Sequence, residues 1–346
     1  MSEPLRIVVA SHDFKIFEPI RSYLASLPGV EITEDRWTGT RPGDHDEAES
    51  RRLLEWADVV VCEWCQGNAV WYSHNKRVGQ RLIVRFHRFE IDNDLPALVD
   101  IGAVDLTIFV GDHVRRAASE RFGWTGASRL QVVWNGVDVE AFDLPKRPSA
   151  ETTLGLLGWV PKLKRLDLAL DVLEEVRLKD ERFRLLVKGK PTWDHPWIWR
   201  RERERWYAED ALNRIERSPL LRNSVSIEPF GSVREWFRDV GYILSVSDIE
   251  GFHIATAEGM ASRAVPIILR WDGADEIYPE EWIYDDASAA AAGVLASNRQ
   301  ERGDRAHAVA RARFADGEIL RTWRSIVGVP AAEESKRTFE SGQVGR

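Results

Sequence analysis

The chain is short of the features that mark secreted, membrane-spanning and nucleic-acid-binding proteins. It has 2 cysteines in 346 residues, too few for a disulfide framework, and a reducing cytoplasmic setting is the default reading. No run of about 18 apolar residues occurs, so the sequence offers no candidate membrane span. The opening MSEPLRIVVASHDF carries only a short apolar run and reads as a first strand, without the hydrophobic core of a signal peptide. Basic residues are outnumbered: the net charge of -8 argues against a general nucleic-acid binder, although it leaves room for a local basic face. No segment repeats at a fixed period. What is present is a soluble, globular composition, 44% hydrophobic and 30% charged. At 346 residues the chain exceeds the size at which one core stops growing, so two domains are expected.

Short β-type runs alternate with helical patterns. Residues 5–10, Ile32 and its neighbours, 58–62, 82–86, 106–110 and 130–133 read as strands, with helices over 17–27, 47–56 and 113–122 between them. Near-continuous apolar strands in such alternation imply a parallel sheet covered on both faces. The segment DLPKRPSA, 143–150, has the prolines and polar neighbours of a linker. The pattern then restarts, with strands at 153–157, 183–187, 225–227, 242–246 and 265–269, a helix at 166–178, and closing helices from about 287 to 327. We expect an α/β protein with Rossmann-like domains over 1–145 and 146–330, followed by a polar, disordered tail over 331–346. Two doubly wound halves would present ligands at strand carboxyl ends, facing the cleft between them.

The most informative stretch is SDIEGFHIATAEGMA, 247–261: a glycine turn after a buried-looking strand, a short helix, and two carboxylates, Glu250 and Glu258, eight residues apart. Gly251 permits a tight backbone path, and a helix start offers free N–H groups to an anion. Carboxylates beside a phosphate would repel it, so they fit better as acceptors for hydroxyls. A ligand with a diphosphate at its centre and polyols at both ends, a nucleotide sugar, matches that arrangement.

The E-x7-E spacing within DIEGFHIATAEGMASRAVPI resembles the donor-site signature of family-4 glycosyltransferases, which have the GT-B fold. VVWNGVDVEAF (132–142) is similar to the segment that ends the first domain of that family, and GWVPKLKRLDLALDVL (158–173) to the loop and helix that open the second. The resemblance implies retaining, metal-independent sugar transfer from a nucleotide sugar (UDP-, GDP- or similar), with no cofactor, and a last helix that crosses back to the first domain. It implies that Glu250 contacts the donor sugar, that Glu258 binds ribose hydroxyls, and that Gly158 and the Gly251, Phe252, His253 and Ile254 backbone line the sugar and diphosphate. Lys164 matches a lysine that neutralises the departing diphosphate. Two positions depart from the pattern. Trp159 stands where an arginine is usual, leaving Lys162, Arg165, or Lys188 and Lys190 to compensate. Arg263 stands where glycine is usual, implying a looser turn after the helix.

On the first domain, His87 follows the strand at 82–86 and is expected to face the cleft near the transferred sugar, with Arg85, Arg88 and Glu90 as charged neighbours able to hold an acceptor. Trp64 and Trp71 fall in a segment read as a cleft-side loop and complete the acceptor-side candidates. Asn135-Gly136 reads as a turn with Gly136 in a conformation other residues avoid. Asp92-Asn93-Asp94 reads as a turn and no metal ligand is assigned. Cys62 and Cys65, a single C-x-x-C, read as packing or acceptor contact. Trp193, Trp197, Trp199 and Trp206 crowd an arginine-rich insertion and suit interdomain packing, sugar stacking or a membrane interface. Donor specificity would sit around Phe230-Gly231-Ser232.

The resulting expectation is a cytoplasmic glycosyltransferase of cell-envelope or capsular polysaccharide synthesis. Its acceptor would be a glycan or lipid-linked glycan, with peripheral contact at the inner membrane face as an option and no nucleic-acid partner. A nucleotide-sugar epimerase-type enzyme on the same fold and a non-catalytic nucleotide-sugar-binding protein are the alternatives.

Overall fold

In the computed structural model, residues 3–126, 129–229, 231–296 and 298–330 are described. The tail over 331–346, expected to be disordered, and Phe230 lie outside them. The strands are β1 (Leu5–Ser11), β2 (Val30–Arg36), β3 (Val59–Glu63), β4 (Arg81–Phe86), β5 (Leu106–Phe109), β6 (Leu130–Val132), β7 (Thr153–Leu157), β8 (Arg184–Lys188), β9 (Val225–Glu228), β10 (Tyr242–Ser245), β11 (Val265–Leu269) and β12 (Ile283–Tyr284). They form two six-stranded sheets, ordered β2-β1-β3-β4-β5-β6 and β12-β11-β10-β7-β8-β9. Adjacent strands run parallel, with Val8 opposite Val60 and Thr33, and Tyr242 opposite Leu154 and Val265. The central strands VVVCE and VPIIL are buried at every residue, as aliphatic runs must be when helices cover both faces.

The helices follow from local chemistry. Leu166–Arg177 buries Leu166, Ala169, Leu170, Leu173 and Val176, a stripe at three- and four-residue spacing, with Asp167 in its first turn and Arg177 in its last. Glu47–Trp56 is capped by Asp46, whose side chain accepts from the Glu49 N–H at 3.1 Å. The segment read as a cleft-side loop is instead largely a helix, Gly67–Asn75, buried from Gly67 to Ser73. A helix enclosed on all sides has no polar face and therefore no amphipathic period to read. Trp71 is accordingly a packing residue, set edge-on to Tyr72 at 4.8 Å and to His45 at 5.0 Å.

The linker is fixed rather than loose. The Lys146 ammonium donates to the carbonyls of Phe237 and Val240 at 2.7 Å and to the Ser262 hydroxyl at 3.0 Å. Beside it the chain crosses a second time: the Val137 N–H donates to Phe314 O at 2.8 Å and the Asp316 N–H to Val137 O at 3.1 Å. Gly136 has an ordinary backbone conformation, and its lack of a side chain serves this crossing, since a Cβ there would stand 2.9 Å from Asp316 Cα. The last helix, Asp316–Ile326, then packs on the outer face of the first sheet. Its Trp323, 1% exposed, meets Phe17 edge-on at 5.1 Å and carries the Arg85 guanidinium 5.8 Å from its ring centroid. No helix among the described residues is long and apolar enough to cross a membrane.

If that helix ties the second half to the first sheet, Trp323→Ala should cost about 3–5 kcal/mol, the usual range for emptying a buried tryptophan site. Denaturant unfolding followed by circular dichroism checks this; a loss below about 1 kcal/mol would show that the sheet closes without the indole.

Candidate functional site

The second sheet winds outward in opposite directions from β7 and β10, so a crevice opens beyond the carboxyl ends of those two neighbouring strands. Gly158 follows β7 with φ +80 and open space where a side chain would stand. Gly189, after β8, lies beside it: a Cβ there would stand 3.5 Å from Gly158 Cα. A one-turn 3-10 helix, Lys162–Lys164, enters from β7, and the β10 exit supplies Glu250 to His253 ahead of the helix Ile254–Ala261.

Glu250 is the centre of this crevice. The Lys164 ammonium donates to its Oε1 at 2.6 Å, and His253 Nε2 lies 3.6 Å from the same oxygen. Burial would push this carboxyl up, but His253 and Lys164 outweigh it and hold it below the usual carboxylate range. His253 itself is pushed down to about 4, chiefly by burial, so at physiological pH it is neutral and the charge opposite Glu250 is that of Lys164. The Ser245 and Thr256 hydroxyls lie 2.5 and 3.1 Å from its Nδ1. When either donates there, the imidazole proton sits on Nε2, facing Glu250.

Glu258 stands on the following helix in a different state. It is half-buried. Burial pushes its carboxyl up to about 7, Arg234 acts weakly in the opposite sense, and no hydrogen bond from a described residue lowers it. Between the two carboxylates the helix start carries no side-chain cap, which leaves its first N–H groups for a ligand or water.

The opposite wall comes from the first sheet, whose winding reverses between β1 and β3. His87 Nε2 lies 3.0 Å from Glu63 Oε1, and Arg85 donates to the same oxygen at 3.0 Å. Burial pushes the His87 imidazole down, against the pull of Glu63. Trp64, with φ 71, lays its ring on His87 at 3.9 Å and donates its indole N–H to Asp13 O at 2.9 Å. Glu90 fixes this turn by accepting the Cys65 and His87 N–H groups, each at 2.5 Å. Cys62 and Cys65 are buried, and burial pushes both thiols well up, so they are unreactive packing groups. Asp92 and Asp94 pair with Arg88 and Arg121. Among the described residues no group of three or more His, Cys, Asp or Glu side chains is placed to hold a metal ion.

Several expectations change on this geometry. Arg85 is buried, donating to Glu63 and Asn135, so it braces the His87 wall from behind and faces no acceptor. Arg88 does reach the seam between the halves: a Cβ on Gly251 would stand 3.1 Å from Arg88 Cβ. Gly251 is needed for that close approach, while the left-handed turn falls on His253, with φ 57. Phe252 is a core residue, edge-on to Phe314 at 5.4 Å, and its carbonyl accepts from the Tyr278 hydroxyl at 2.8 Å. Arg263 keeps the tight turn in the left-handed region, φ 64, and pairs with Asp143 and Asp304 at 2.6 Å. Three of the four cations proposed to replace the missing arginine are engaged elsewhere. Lys162 lies over the Tyr207 ring, Arg165 pairs with Asp167 and Asp248, and buried Lys188 donates to Pro229 O at 3.3 Å. Lys190 is exposed. Trp159 is buried edge-on to Trp193, leaving Lys164 as the cation that meets Glu250.

Sequence reasoning missed three residues that assemble the crevice. His113, on the first half, donates from Nε2 to the Glu250 carbonyl at 2.9 Å, and its backbone N–H donates to Glu276 Oε2 at 3.1 Å. Glu63 anchors His87. The available signal was position for two of them: Glu63 ends β3 and His113 follows β5 closely, whereas Glu276 lies in the helix Ala274–Ile277 beyond β11.

Glu258 sets a pH dependence. Its folded-state pKa lies above the unfolded value, so its contribution is fully present below pH about 4.5 and is lost as pH rises through about 7. Glu258→Gln should therefore gain stability relative to the parent between pH 5 and pH 8, by up to about 3 kcal/mol. Paired denaturant unfolding curves at the two pH values check this, and an equal difference at both would contradict it.

No family model and no curated protein matches the chain. Solved structures do. HepE of Anabaena, in complex with UDP and glucose, aligns with a TM-score of 0.68 at 12% identity over 93% of this chain and 99% of that one. A glycosyltransferase from Rickettsia africae aligns with a TM-score of 0.68 at 13% identity over 95% of this chain and 100% of that one. TarM of S. aureus aligns with a TM-score of 0.60 at 15% identity over 78% of this chain, which spans 54% of TarM. At these identities the likeness establishes the architecture: two parallel, doubly wound α/β sheets in the GT-B arrangement.

Proposed function

We propose that the chain is a glycosyltransferase that takes a nucleotide sugar in the crevice between β7 and β10 and passes its sugar to a hydroxyl presented by the first half. The observation that carries this reading is the contrast between its two acids. Glu250 is ionised and held by Lys164, whereas Glu258 is half-buried with unused acceptor capacity, and an uncapped helix start lies between them. A diphosphate fits the helix start and Lys164, a ribose fits Glu258, and the sugar fits Glu250. In this reading a domain division falls at about 145–146. It leaves the donor groups on 146–330 and the His87, Trp64 and Arg88 wall on 1–145.

In this reaction the bond between the sugar's anomeric carbon and the diphosphate oxygen breaks, with its electron pair leaving on that oxygen. Lys164 and the helix-start amides stabilise the charge that collects there. The acceptor oxygen bonds to the anomeric carbon and its proton passes to the leaving phosphate. Family resemblance favours retention, no metal ion, and a cytoplasmic role in envelope or capsular polysaccharide assembly. Solved neighbours that hold UDP or UDP-glucose favour a uridine donor. The acceptor would be a glycan, free or lipid-linked. Glu250 would orient the sugar, with its backbone held by His113 across the seam.

One observation favours a second reading. Of the cations expected to replace the arginine at Trp159, Lys162, Arg165 and Lys188 are engaged elsewhere and Lys190 is exposed. A protein that binds nucleotide sugars without turning them over would tolerate that loss.

Calorimetry with UDP and a panel of nucleotide sugars separates the readings. Glu258→Ala should weaken nucleotide binding about 10- to 100-fold, the range for a lost hydrogen bond to a charged group. An unchanged affinity would remove the proposed ribose contact. Donor hydrolysis or transfer by the parent, lost in Lys164→Ala, supports the enzyme; tight donor binding with no turnover supports the binding protein.

A further inference from the structure

After β8 the chain inserts PTWDHPWIWRRERERW, 191–206, before its helix Glu202–Arg217 returns to β9. The insertion is not loosely attached. Ile198 and Thr192 are buried, the Lys162 N–H donates to Glu204 Oε2 at 2.7 Å, and Tyr207 donates its hydroxyl to Asp167 at 2.7 Å. With Ile198 turned inward on the one-turn helix Pro196–Trp199, its neighbours turn outward. Trp193, Trp197, Trp199 and Trp206 are 52%, 55%, 39% and 60% exposed, so none serves as interdomain packing.

The arginines of this segment are unusual in the same way. Several helical arginines elsewhere in the chain pair with a carboxylate one turn away, as Arg51 does with Glu47 and Arg52 with Glu49. The alternation with Glu202 and Glu204 predicts the same here. Among the described residues, however, Arg200, Arg201, Arg203 and Arg205 form no ion pair. Arg201 lies over the Trp197 ring at 5.2 Å and Arg205 over Trp199 at 5.7 Å. The face therefore combines large exposed indoles with four guanidinium groups that no carboxylate of the described residues pairs, against the three acids of the segment, Asp194, Glu202 and Glu204.

We propose that this Trp/Arg face docks on an anionic lipid surface. Indoles partition into the headgroup layer, where their apolar rings leave water and their N–H groups stay hydrated. Guanidinium groups beside them meet lipid phosphates in paired hydrogen bonds. A chain with a net charge of -8 would be repelled by such a surface unless a local cationic face turned toward it. The segment borders the loop carrying Lys164, so docking there would hold the crevice beside the membrane. The inference stands on exposure and charge and is independent of the proposed reaction.

The test is cosedimentation of the full chain with vesicles of phosphatidylglycerol and phosphatidylethanolamine, with phosphatidylcholine vesicles as the neutral control. The parent should bind the anionic vesicles at low ionic strength and be released as salt shortens the screening length to about 3 Å near 1 M. The variant R200S/R201S/R203S/R205S should lose anionic binding about tenfold or more, because each cation near the surface contributes severalfold. Trp197→Ser with Trp199→Ser should lower binding and reduce quenching of tryptophan fluorescence by brominated lipid. The substituted residues are exposed apart from Arg205, which is half-buried and donates to Trp199 O at 2.6 Å, and circular dichroism should confirm that both variants fold as the parent does. No anionic binding by the parent, or binding that both variants retain, overturns the proposal. So does binding of a soluble acidic glycan by this face without vesicle binding, which would assign it to a polysaccharide.

Discussion

The ion pair between Lys164 and Glu250 is the constraint on which the site depends. A carboxylate taken out of water must be compensated or it protonates; two groups face the Glu250 carboxylate and a third holds its backbone. Lys164 reaches its oxygen from the loop after β7, His253 faces it from the turn ahead of the helix, and His113 holds its carbonyl from the other half. Three separate chain segments are thereby brought together. The pair also keeps the cation in the crevice, in a position to turn toward a more strongly charged group when one enters.

Two features of the fold make that meeting reproducible. Parallel sheets wound outward from a reversal point leave a crevice at the carboxyl ends of neighbouring strands, and each half contributes one. The halves are then joined twice, by a linker anchored through Lys146 and by a last helix anchored through Trp323. Small residues let the facing loops touch: a Cβ on Gly111 would stand 2.8 Å from the Gly251 carbonyl. Any motion that opened the cleft would have to separate His113 from Glu250 and Arg116 from Glu276.

The two acids of the E-x7-E pair show how environment divides one residue type into two roles. Glu250 and Glu258 are chemically alike and eight residues apart. One is held ionised by a lysine; the other is pushed up to about 7 by burial. Their spacing was legible in the sequence, and so was the helix that carries the second. Their different protonation was not, because it arises from groups brought in by β7 and by the other half. Arg85 and Trp71 make the converse point. Each looked like a cleft residue from its place near a strand end, yet one is used by Glu63 and Asn135 and the other by a helix buried on all sides.

By itself the sequence determined the α/β alternation, the strands of both sheets except the two-residue edge strand β12, and the spacing of the two acids, because these depend on short-range periodicity and glycine or proline punctuation. It reached no further than the backbone of each segment. Only the tertiary structure decided which cation meets Glu250, where the left-handed turns fall, and which tryptophans face solvent. Those outcomes turn on contacts between residues far apart in the chain, such as His113 with Glu250 and Val137 with Phe314, and no local pattern encodes a partner more than a hundred positions away.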